Sequence, residues 1–233
     1  MASRVCVITG VGPGNGAAFS KRFASAGYRV AMLARSEDRL KDLEKAIPGT
    51  RGYATDVSDA GQVGEAFARI RKDLGPVDVL LHNAGSGLFG DFLQTPPEMF
   101  EESWRVNSLA LLLCGQEAVR DMQKAGSGAI VVTGATASLR GGASFAAFAS
   151  AKAAQRSLAQ SMARQLAPQG IHVAYVIVDG VIDIPRTREF FPDRPDEYFL
   201  KPDAIAETVH HLVEQDRSAW TFEVDVRPFG EKW

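Results

Sequence analysis

A group of four glycines near the N-terminus constrains the fold of this chain more than any other stretch. An apolar run at residues 5–8 precedes the glycines and is typical of a buried strand in a parallel sheet. Residues 17–24 follow them with apolar side chains at helical spacing. Glycine lets the backbone approach a pyrophosphate, and a helix N-terminus offers that group free N–H donors. This order of elements predicts a nucleotide-binding loop, with an ordinary tight turn as the alternative. The loop residues are Gly10, Gly12, Pro13, Gly14, Asn15 and Gly16.

The length and composition favour one globular domain over residues 1–233. Hydrophobic residues make up 45% of the 233-residue chain, which is enough for a large core. The net charge is -2 and the sequence has no long basic run, so nothing in it indicates binding to nucleic acid or to an anionic membrane. We therefore expect a single dinucleotide-binding domain that acts on a small-molecule substrate.

The two cysteines, Cys6 and Cys114, lie in apolar segments and lack the spacing of a metal site. We expect both to be buried, reduced thiols, and we expect no metal centre. The N-terminus runs directly into a strand without a signal peptide, and the longest apolar stretch, residues 109–114, is too short to cross a bilayer. These features predict a cytoplasmic protein that does not bind a membrane.

Strand and helix patterns alternate along most of the chain. Apolar runs predict strands at residues 27–33, 52–55, 77–81, 128–133, 171–178 and 220–226. Helices are predicted at residues 36–45, 59–74, 98–124, 148–167 and 202–215, and a loop at residues 186–200. The helix at residues 98–124 carries an apolar face made of Phe100, Trp104, Leu111, Leu112 and Val119. The alternation predicts an α/β fold of the Rossmann type, a doubly wound parallel sheet of about seven strands with helices on both faces.

The end of the second predicted strand carries Arg35 and no acidic residue. In a dinucleotide fold this position faces the adenosine ribose, where a carboxylate would favour NAD by accepting hydrogen bonds from the 2′-hydroxyl. A guanidinium instead matches a 2′-phosphate in charge and geometry. Glu37 and Asp38 belong to the first turn of the next helix, where they suit its dipole. Arg35 therefore predicts a preference for NADP(H), with NAD(H) as the second candidate and a solvated surface arginine as the alternative.

Four segments resemble the short-chain dehydrogenase/reductase family. They are the glycine loop preceded by Thr9, the Asn83-Ala84-Gly85 sequence, Asn107 within a predicted helix, and residues 149–152, which end in Lys152. The resemblance covers essentially the whole chain. It implies a Rossmann domain that moves hydride between NAD(P)H and a carbonyl or an alcohol, and it implies assembly into a homodimer or a homotetramer.

The resemblance also implies cofactor contacts outside the glycine loop. The residues concerned are Asp56, Val57, Asn83, Ala84, Gly85, Lys152, Gly180, Val181 and Ile182. Asp56 would lie beside the adenine, with the capping of a turn as an equal alternative. Asn83 would tie neighbouring strands together through its amide, and His82 before it is interpreted as structural. The sequence departs from the family after the sixth strand, where Asp179 and Ile184 replace the usual proline and threonine.

The family's reaction centre uses a serine, a tyrosine and a lysine, with Tyr-x-x-x-Lys on one helix face. The lysine lowers the pKa of the tyrosine, which gives a proton to the carbonyl oxygen, and the serine polarises that oxygen. The matching positions here hold Phe148 and Ala135, which have no hydroxyl, whereas Lys152 and Asn107 are present. In the family the asparagine helps to hold a water in a proton relay. The resemblance therefore implies a site without its usual proton donor, which costs ~10²–10⁴ in rate.

Several other side chains are candidate replacements for the tyrosine. The nearby hydroxyl side chains are Thr136, Ser138, Ser144 and Ser150. Each would polarise a carbonyl better than it would protonate one. The longer Tyr-to-Lys spacing of some enoyl-reducing relatives places Phe145 at the tyrosine site. Tyr175 lies in a predicted strand, where a core position is favoured, and Tyr198 could fold over the cleft from its loop.

Three functional hypotheses follow from these residues. The first is an NADP(H)-dependent oxidoreductase that reduces a carbonyl, an imine or an activated alkene with a non-standard proton donor, and Lys152 and Asn107 favour it. The second is a catalytically inactive member that acts as a cofactor sensor or a structural partner subunit, which the absent serine and tyrosine favour. An interaction module without a cofactor is the weakest, because the glycine loop is intact. The aromatic residues Phe229 and Trp233 near the C-terminus further predict a tail that docks on a neighbouring subunit.

Overall fold

The computed structural model describes residues 3–231 and is built on a seven-stranded, fully parallel sheet. Its strands are β1 (Val5–Thr9), β2 (Arg29–Ala34), β3 (Thr50–Ala54), β4 (Val79–His82), β5 (Gly128–Ala135), β6 (Ile171–Val178) and β9 (Glu223–Val226). The strand order is β3-β2-β1-β4-β5-β6-β9. The order reverses between β1 and β4, so a crevice opens at the carboxyl ends of these two strands, which is where α/β sheets bind ligands.

Helices cover both faces of the sheet, as predicted. They are α1 (Asn15–Ser25), α2 (Glu37–Ala46), α3 (Ala60–Asp73), α4 (Pro97–Trp104), α5 (Ala110–Ala125), α6 (Ala146–Leu166), α7 (Pro185–Phe190) and α8 (Pro202–Val213). On one face, side chains of α3, α5 and α6 pack in a single apolar cluster with the sheet. On the other face, side chains of α1, α2 and α8 do the same. The doubly wound α/β fold predicted from the sequence is therefore confirmed.

The long helix predicted at residues 98–124 is interrupted. Between α4 and α5, Arg105–Leu109 forms a π-helical turn, in which the Ala110 N–H donates to the Arg105 carbonyl. The predicted apolar face is confirmed only in part, because Leu111 is buried and Val119 packs against the core, whereas Phe100, Trp104 and Leu112 are exposed. The buried apolar side chains of α5 are small or aliphatic and include Ala110, Leu111, Cys114, Ala118 and Met122. The spacing of apolar residues in the sequence does not show which of these side chains the rest of the molecule covers.

The loop predicted at residues 186–200 is partly regular. Pro185 begins the short helix α7, where proline suits the first turn. Phe199–Leu200 forms β8, which pairs in parallel with β7 (Val181–Ile182) in a small separate sheet. Tyr198 packs against Phe191, Phe199 and Arg194 within this segment. The expectation that Tyr198 folds over the cleft is therefore not met.

The two cysteines lie in the core of the fold. Cys6 and Cys114 are free and buried, as predicted. Within residues 3–231, no helix is both long enough and apolar enough to cross a bilayer, and no cluster of potential metal ligands occurs. Phe229 is 91% exposed in the C-terminal segment, whereas Trp233 lies outside the described residues.

Strands β5 and β6 pair over eight residues, and their pairing depends on Gly134. The Tyr175 ring on β6 is fully buried and lies directly over this glycine. A Cβ atom at residue 134 would lie 2.6 Å from Tyr175 Oη, well inside van der Waals contact. The Tyr175 ring therefore fits between the strands and the helix layer because Gly134, on the neighbouring strand, has no side chain.

Replacing Gly134 by alanine should lower the free energy of unfolding by about 1–3 kcal/mol, because added volume in a filled core is destabilising by that amount. Urea unfolding followed by circular dichroism measures the change. The matched control is Gly64→Ala within α3, where a Cβ atom meets nothing within 4 Å. Alanine should raise the stability there by about 1 kcal/mol, since it is the better helix former. Equal stability of the Gly134→Ala protein and the parent would contradict this packing.

Candidate active site

The glycine loop lies at the crevice between β1 and β4. Gly10 has φ 67°, and a Cβ atom there would lie 2.5 Å from the Ala84 Cα atom. A Cβ atom at Gly16 would lie 2.6 Å from the Val11 Cα atom, so α1 can begin directly against the loop. Gly12 differs from both, because a Cβ atom there meets only one guanidinium nitrogen of Arg39, at 3.9 Å. The chain itself does not need a glycine at this position, which leaves open space beside the loop backbone.

Polar atoms at the ends of β1 and β4 hold the crevice together. Asn83 Nδ2 donates to the Gly10 carbonyl at 3.0 Å, which is the strand tie predicted for this amide. Thr9 Oγ1 accepts the backbone N–H groups of Asn83 and Ala84 at 3.2 and 3.1 Å. Its own hydrogen is then directed to His82 Nδ1, 3.2 Å away. Burial, together with the charge of Lys152, lowers the pKa of His82 to about 3, so this ring is a neutral part of the core.

Basic side chains lie at the carboxyl end of β2. Arg35 is exposed directly after the strand, and Arg39 reaches from α2 to the open side of Gly12. Asp56 Oδ1 accepts hydrogen bonds from the N–H and hydroxyl of Ser58 at 2.9 and 2.7 Å. Burial alone would raise the pKa of Asp56, but the Ser58 hydrogen bonds and the charges of Arg35 and Arg105 hold it below its usual value. The carboxylate of Asp56 therefore caps a turn.

Arg39 was missed by the reading of the sequence, which considered only the residue directly after the strand. Arg35 precedes α2, so helical spacing does not link it to Arg39, and only the packing of α2 places Arg39 near Gly12. Val57 is buried beside Asp56, where it belongs to the core. The contact of Asp56 and Val57 with an adenine stays a prediction.

Lys152 is the only lysine among the buried residues of the described chain. Its Nζ donates to the Thr133 carbonyl at 3.0 Å and to Gln155 Oε1 at 3.1 Å. Two of the three ammonium N–H groups are thereby used. Burial lowers the pKa of Lys152 to about 8, because an ammonium ion loses hydration in the core. The third N–H group remains for a partner in the crevice.

Asn107 lies in the π-helical turn, opposite Lys152. Its Nδ2 donates to the Ser103 carbonyl at 2.9 Å and to the Ser86 carbonyl at 3.2 Å, which fixes the amide. Its Oδ1 is buried and has no hydrogen-bond partner. A Cβ atom at the exposed Gly85 would lie 3.1 Å from this oxygen and 3.5 Å from Lys152 Nζ. The two polar atoms predicted to belong to the site thus converge on the same glycine backbone.

Phe148 belongs to a cluster of three aromatic rings at the start of α6. Its ring centroid lies 5.2 Å from that of Phe89 and 6.1 Å from that of Phe145, and these two lie 4.9 Å apart. Phe89 is 52% and Phe145 37% exposed. The position one helical turn before Lys152 therefore carries an apolar, partly open surface and no ionisable hydrogen. Phe89 was not identified from the sequence, because its loop has no periodic pattern.

Ala135 ends β5, and the hydroxyl groups around it are already engaged. Thr136 Oγ1 donates to Asp179 Oδ1 at 2.6 Å, and Ser138 Oγ donates to the Ala135 carbonyl at 2.7 Å. Ser150 Oγ donates to the Ala146 carbonyl at 2.7 Å, within its own helix. None of these three hydroxyls offers its hydrogen to the crevice in this structure, so none is an evident substitute for a phenol.

The segment after β6 covers the glycine loop. Ile184 lies over Gly14, where a Cβ atom would be 2.5 Å from Ile184 Cγ2. The Asp179 carboxylate contacts Thr136 and Arg227, at 3.4 Å from the latter, so it is neutralised by a cation of its own chain. Gly180 has φ 144°, and the following β7 residues, Val181 and Ile182, are half-buried. Their backbone contact with a nicotinamide stays a prediction.

Known proteins are similar in sequence to this chain over most of its length. Residues 4–194 match the family described as short chain dehydrogenase. This chain belongs to that family. The 3-oxoacyl-[acyl-carrier-protein] reductase MabA of Mycobacterium avium is 32% identical over 186 residues, which are 80% of this chain and 70% of MabA. The family resemblance inferred from the glycine loop and its partner motifs is therefore confirmed.

Solved structures agree over the full length. A short-chain dehydrogenase from Rhodopseudomonas palustris is 35% identical, with a TM-score of 0.83, and the match covers 97% of this chain and 99% of that one. A metagenomic short-chain oxidoreductase in complex with NADP is 27% identical, with a TM-score of 0.85, and the match covers 98% of both chains. The arrangement of strands and helices in this chain is thus that of the family.

Proposed function

We propose that this short chain dehydrogenase is an NADP(H)-dependent oxidoreductase that works without a phenolic proton donor. The observation that carries the proposal is the convergence of Lys152 Nζ and Asn107 Oδ1 on Gly85. A buried ammonium with one free N–H and a buried, unpartnered amide oxygen both require a polar partner. The hydroxyl groups of a nicotinamide ribose would satisfy Lys152, which is the role that the family resemblance implies for it.

The glycine loop and the basic residues near it fit the other half of the cofactor. The open side of Gly12 offers room for a pyrophosphate at the N-terminus of α1, where N–H groups and the helix dipole favour an anion. Arg35 and Arg39 supply two guanidinium groups at the ribose position, and the neighbouring Asp56 has its carboxylate engaged by Ser58. The related oxidoreductase in complex with NADP supports the same choice. When bound, the cofactor would supply or accept a hydride.

Fluorescence titration with NADPH and with NADH tests the cofactor assignment. The parent protein should bind NADPH tightly and NADH much more weakly. Arg35→Glu should weaken NADPH binding at least tenfold, since a charge-assisted hydrogen bond contributes about 1.5–3 kcal/mol and 1.4 kcal/mol is a factor of ten. The same change should leave NADH binding equal or stronger. Lys72→Glu, at the far end of α3, is the charge-matched control and should bind both cofactors as the parent does.

The aromatic cluster and the absence of a phenol together restrict which molecules could accept the hydride. A carbonyl that gains hydride becomes an alkoxide and needs a proton, whereas an iminium ion becomes a neutral amine and needs none. An activated alkene becomes an enolate, whose charge lies on a conjugated oxygen away from the carbon attacked and which then takes its proton from the solvent. The open faces of Phe89 and Phe145 suit an apolar, conjugated molecule, and they attract a cation through their ring quadrupoles. Imines and conjugated acceptors are therefore the preferred substrate class.

The alternative is a catalytically inactive cofactor sensor or structural partner subunit. Phe148 and Ala135 favour it, because they stand where the family resemblance places the proton donor and the polarising serine. The same cofactor contacts serve both alternatives, so cofactor binding does not separate them. Only turnover does.

Turnover by the parent separates the two functions, and restoring both hydroxyls tests whether the site keeps the geometry of the family. The double variant Ala135→Ser with Phe148→Tyr should gain at least 10²-fold in NADPH-dependent reduction of simple dicarbonyls, because a positioned proton donor contributes ~10²–10⁴. The parent should reduce imines or conjugated acceptors but not these dicarbonyls. The single change Phe229→Tyr is the control, since it adds a phenol at an exposed position of the C-terminal segment. Absence of turnover by the parent with every acceptor class would favour the inactive alternative.

We further propose that the chain forms a homodimer or a homotetramer through the α4–α5 helix pair. Phe100 and Trp104 are one helical turn apart on α4, and they are 47% and 43% exposed. Large apolar side chains left exposed on one helix face mark an interaction surface. Light scattering should give a mass of two or four chains for the parent, and Trp104→Asp should lower it. Leu93→Asp, an exposed leucine outside these helices, should leave the mass unchanged.

A further inference from the structure

A buried glutamine on α6 connects Lys152 with the π-helical turn. We propose that Gln155 is a positioning residue, whose side-chain amide fixes the Lys152 ammonium and ties it to Asn107. Gln155 Oε1 accepts from Lys152 Nζ at 3.1 Å and from the Tyr175 hydroxyl at 3.3 Å. Gln155 Nε2 donates to the Asn107 carbonyl at 2.7 Å. One amide thus contacts three other buried residues, on α6, β6 and the π-helical turn.

The burial of Gln155 shows that its amide needs these partners. The side chain has no solvent exposure, and a buried amide without hydrogen bonds is destabilising by about 1–3 kcal/mol. An apolar residue would fill this core position without that requirement. The Asn107 carbonyl that accepts this amide lies in the π-helical turn between α4 and α5. The glutamine therefore ties α6 to this irregular turn.

The same amide sets the direction of the ammonium. A lysine side chain is flexible and presents three rotatable donors. The Thr133 carbonyl, from β5, and Gln155 Oε1, from α6, occupy two of them from fixed backbone and core positions. The remaining N–H is then directed to the edge at Gly85, where Asn107 Oδ1 also lies. Without Gln155 the ammonium would keep one anchor and could rotate about it.

The hydrogen-bond partners of this ammonium in the described chain are neutral. Among residues 3–231, no carboxylate lies within 4.0 Å of Lys152. The titratable groups that face it are His82 on β4, which is neutral, and Tyr175 on β6, whose pKa is raised to about 12 chiefly by burial. The oxygens of Thr133 and Gln155 therefore hold the charge without a counter-ion. Removal of either one should make the charged form less stable.

Titration of Lys152 in the full-length protein tests this inference. Lysine labelled with ¹³C at the ε-carbon gives an NMR signal that follows ionisation, and Lys152→Met identifies the Lys152 signal. We expect the Lys152 pKa near 8 in the parent. Gln155→Leu should lower it by about one unit, because it removes an acceptor of the ammonium. Gln155→Glu should raise it, because a carboxylate stabilises the positive charge.

Opposite shifts in the two variants are a response that loss of packing alone would not give. Gln160→Leu, the same change on the same helix away from Lys152, should leave its pKa unchanged. An unaltered Lys152 pKa in Gln155→Leu would overturn the inference. If Gln155→Leu does not fold, Gln155→Glu decides, since a raised pKa supports the positioning role and an unchanged pKa rejects it.

The inference rests on the proposed function only where it assigns the directed N–H to the cofactor. NADPH titration of the same variants examines that step, and Gln155→Leu should bind about tenfold more weakly than Gln160→Leu. If the parent itself does not bind NADPH, the proposed function fails, while the pKa shifts still decide the role of Gln155. If the parent binds NADPH and Gln155→Leu binds it equally well, the link between Gln155 and the cofactor fails alone.

Discussion

The burial of one ammonium ion, that of Lys152, organises the functional half of this molecule. A buried lysine charge is costly unless oxygen atoms surround it, and here the oxygens come from β5 and from α6 itself. Gln155, which supplies one of them, holds the π-helical turn of Asn107 with its other end. The position of the ammonium therefore depends on the register of β5, the docking of α6 and the irregularity between α4 and α5.

The crevice beside this ammonium depends on backbones that approach closely. Gly10 allows β1 to pass against Ala84, and Asn83 and Thr9 secure the contact by hydrogen bonds. The result is an edge where the glycine loop, Gly85 and the N-terminal part of α6 meet. Along this edge the polar groups of Lys152 and Asn107 are held in place, whereas the neighbouring surface of Phe89, Phe145 and Phe148 is apolar. A site of this kind binds and orients more readily than it exchanges protons.

Much of this could be predicted from the sequence, and the failures have physical causes. The parallel sheet, its helices on both faces and the family were predicted correctly, because strand and helix periods depend on local patterns that burial reinforces. The exposure of Phe100 and Trp104 was not predicted, because a period shows that a helix has an apolar face but not what covers it. Arg39 and Phe89 were missed because only the fold brings α2 and the loop after β4 to the crevice.

The sequence by itself determined the glycine loop, the absence of hydroxyls at Phe148 and Ala135, and the presence of Lys152 and Asn107, since these are properties of residue type at fixed spacing. Only the tertiary structure decided that Asn107 lies in a π-helical turn, that the hydroxyls of Thr136 and Ser138 are engaged elsewhere, and that Gln155 joins Asn107 to Lys152. Hydrogen bonds between residues some fifty positions apart leave no periodic mark on the chain. They arise when packed elements bring buried donors and acceptors within reach, and each such group must then find a partner.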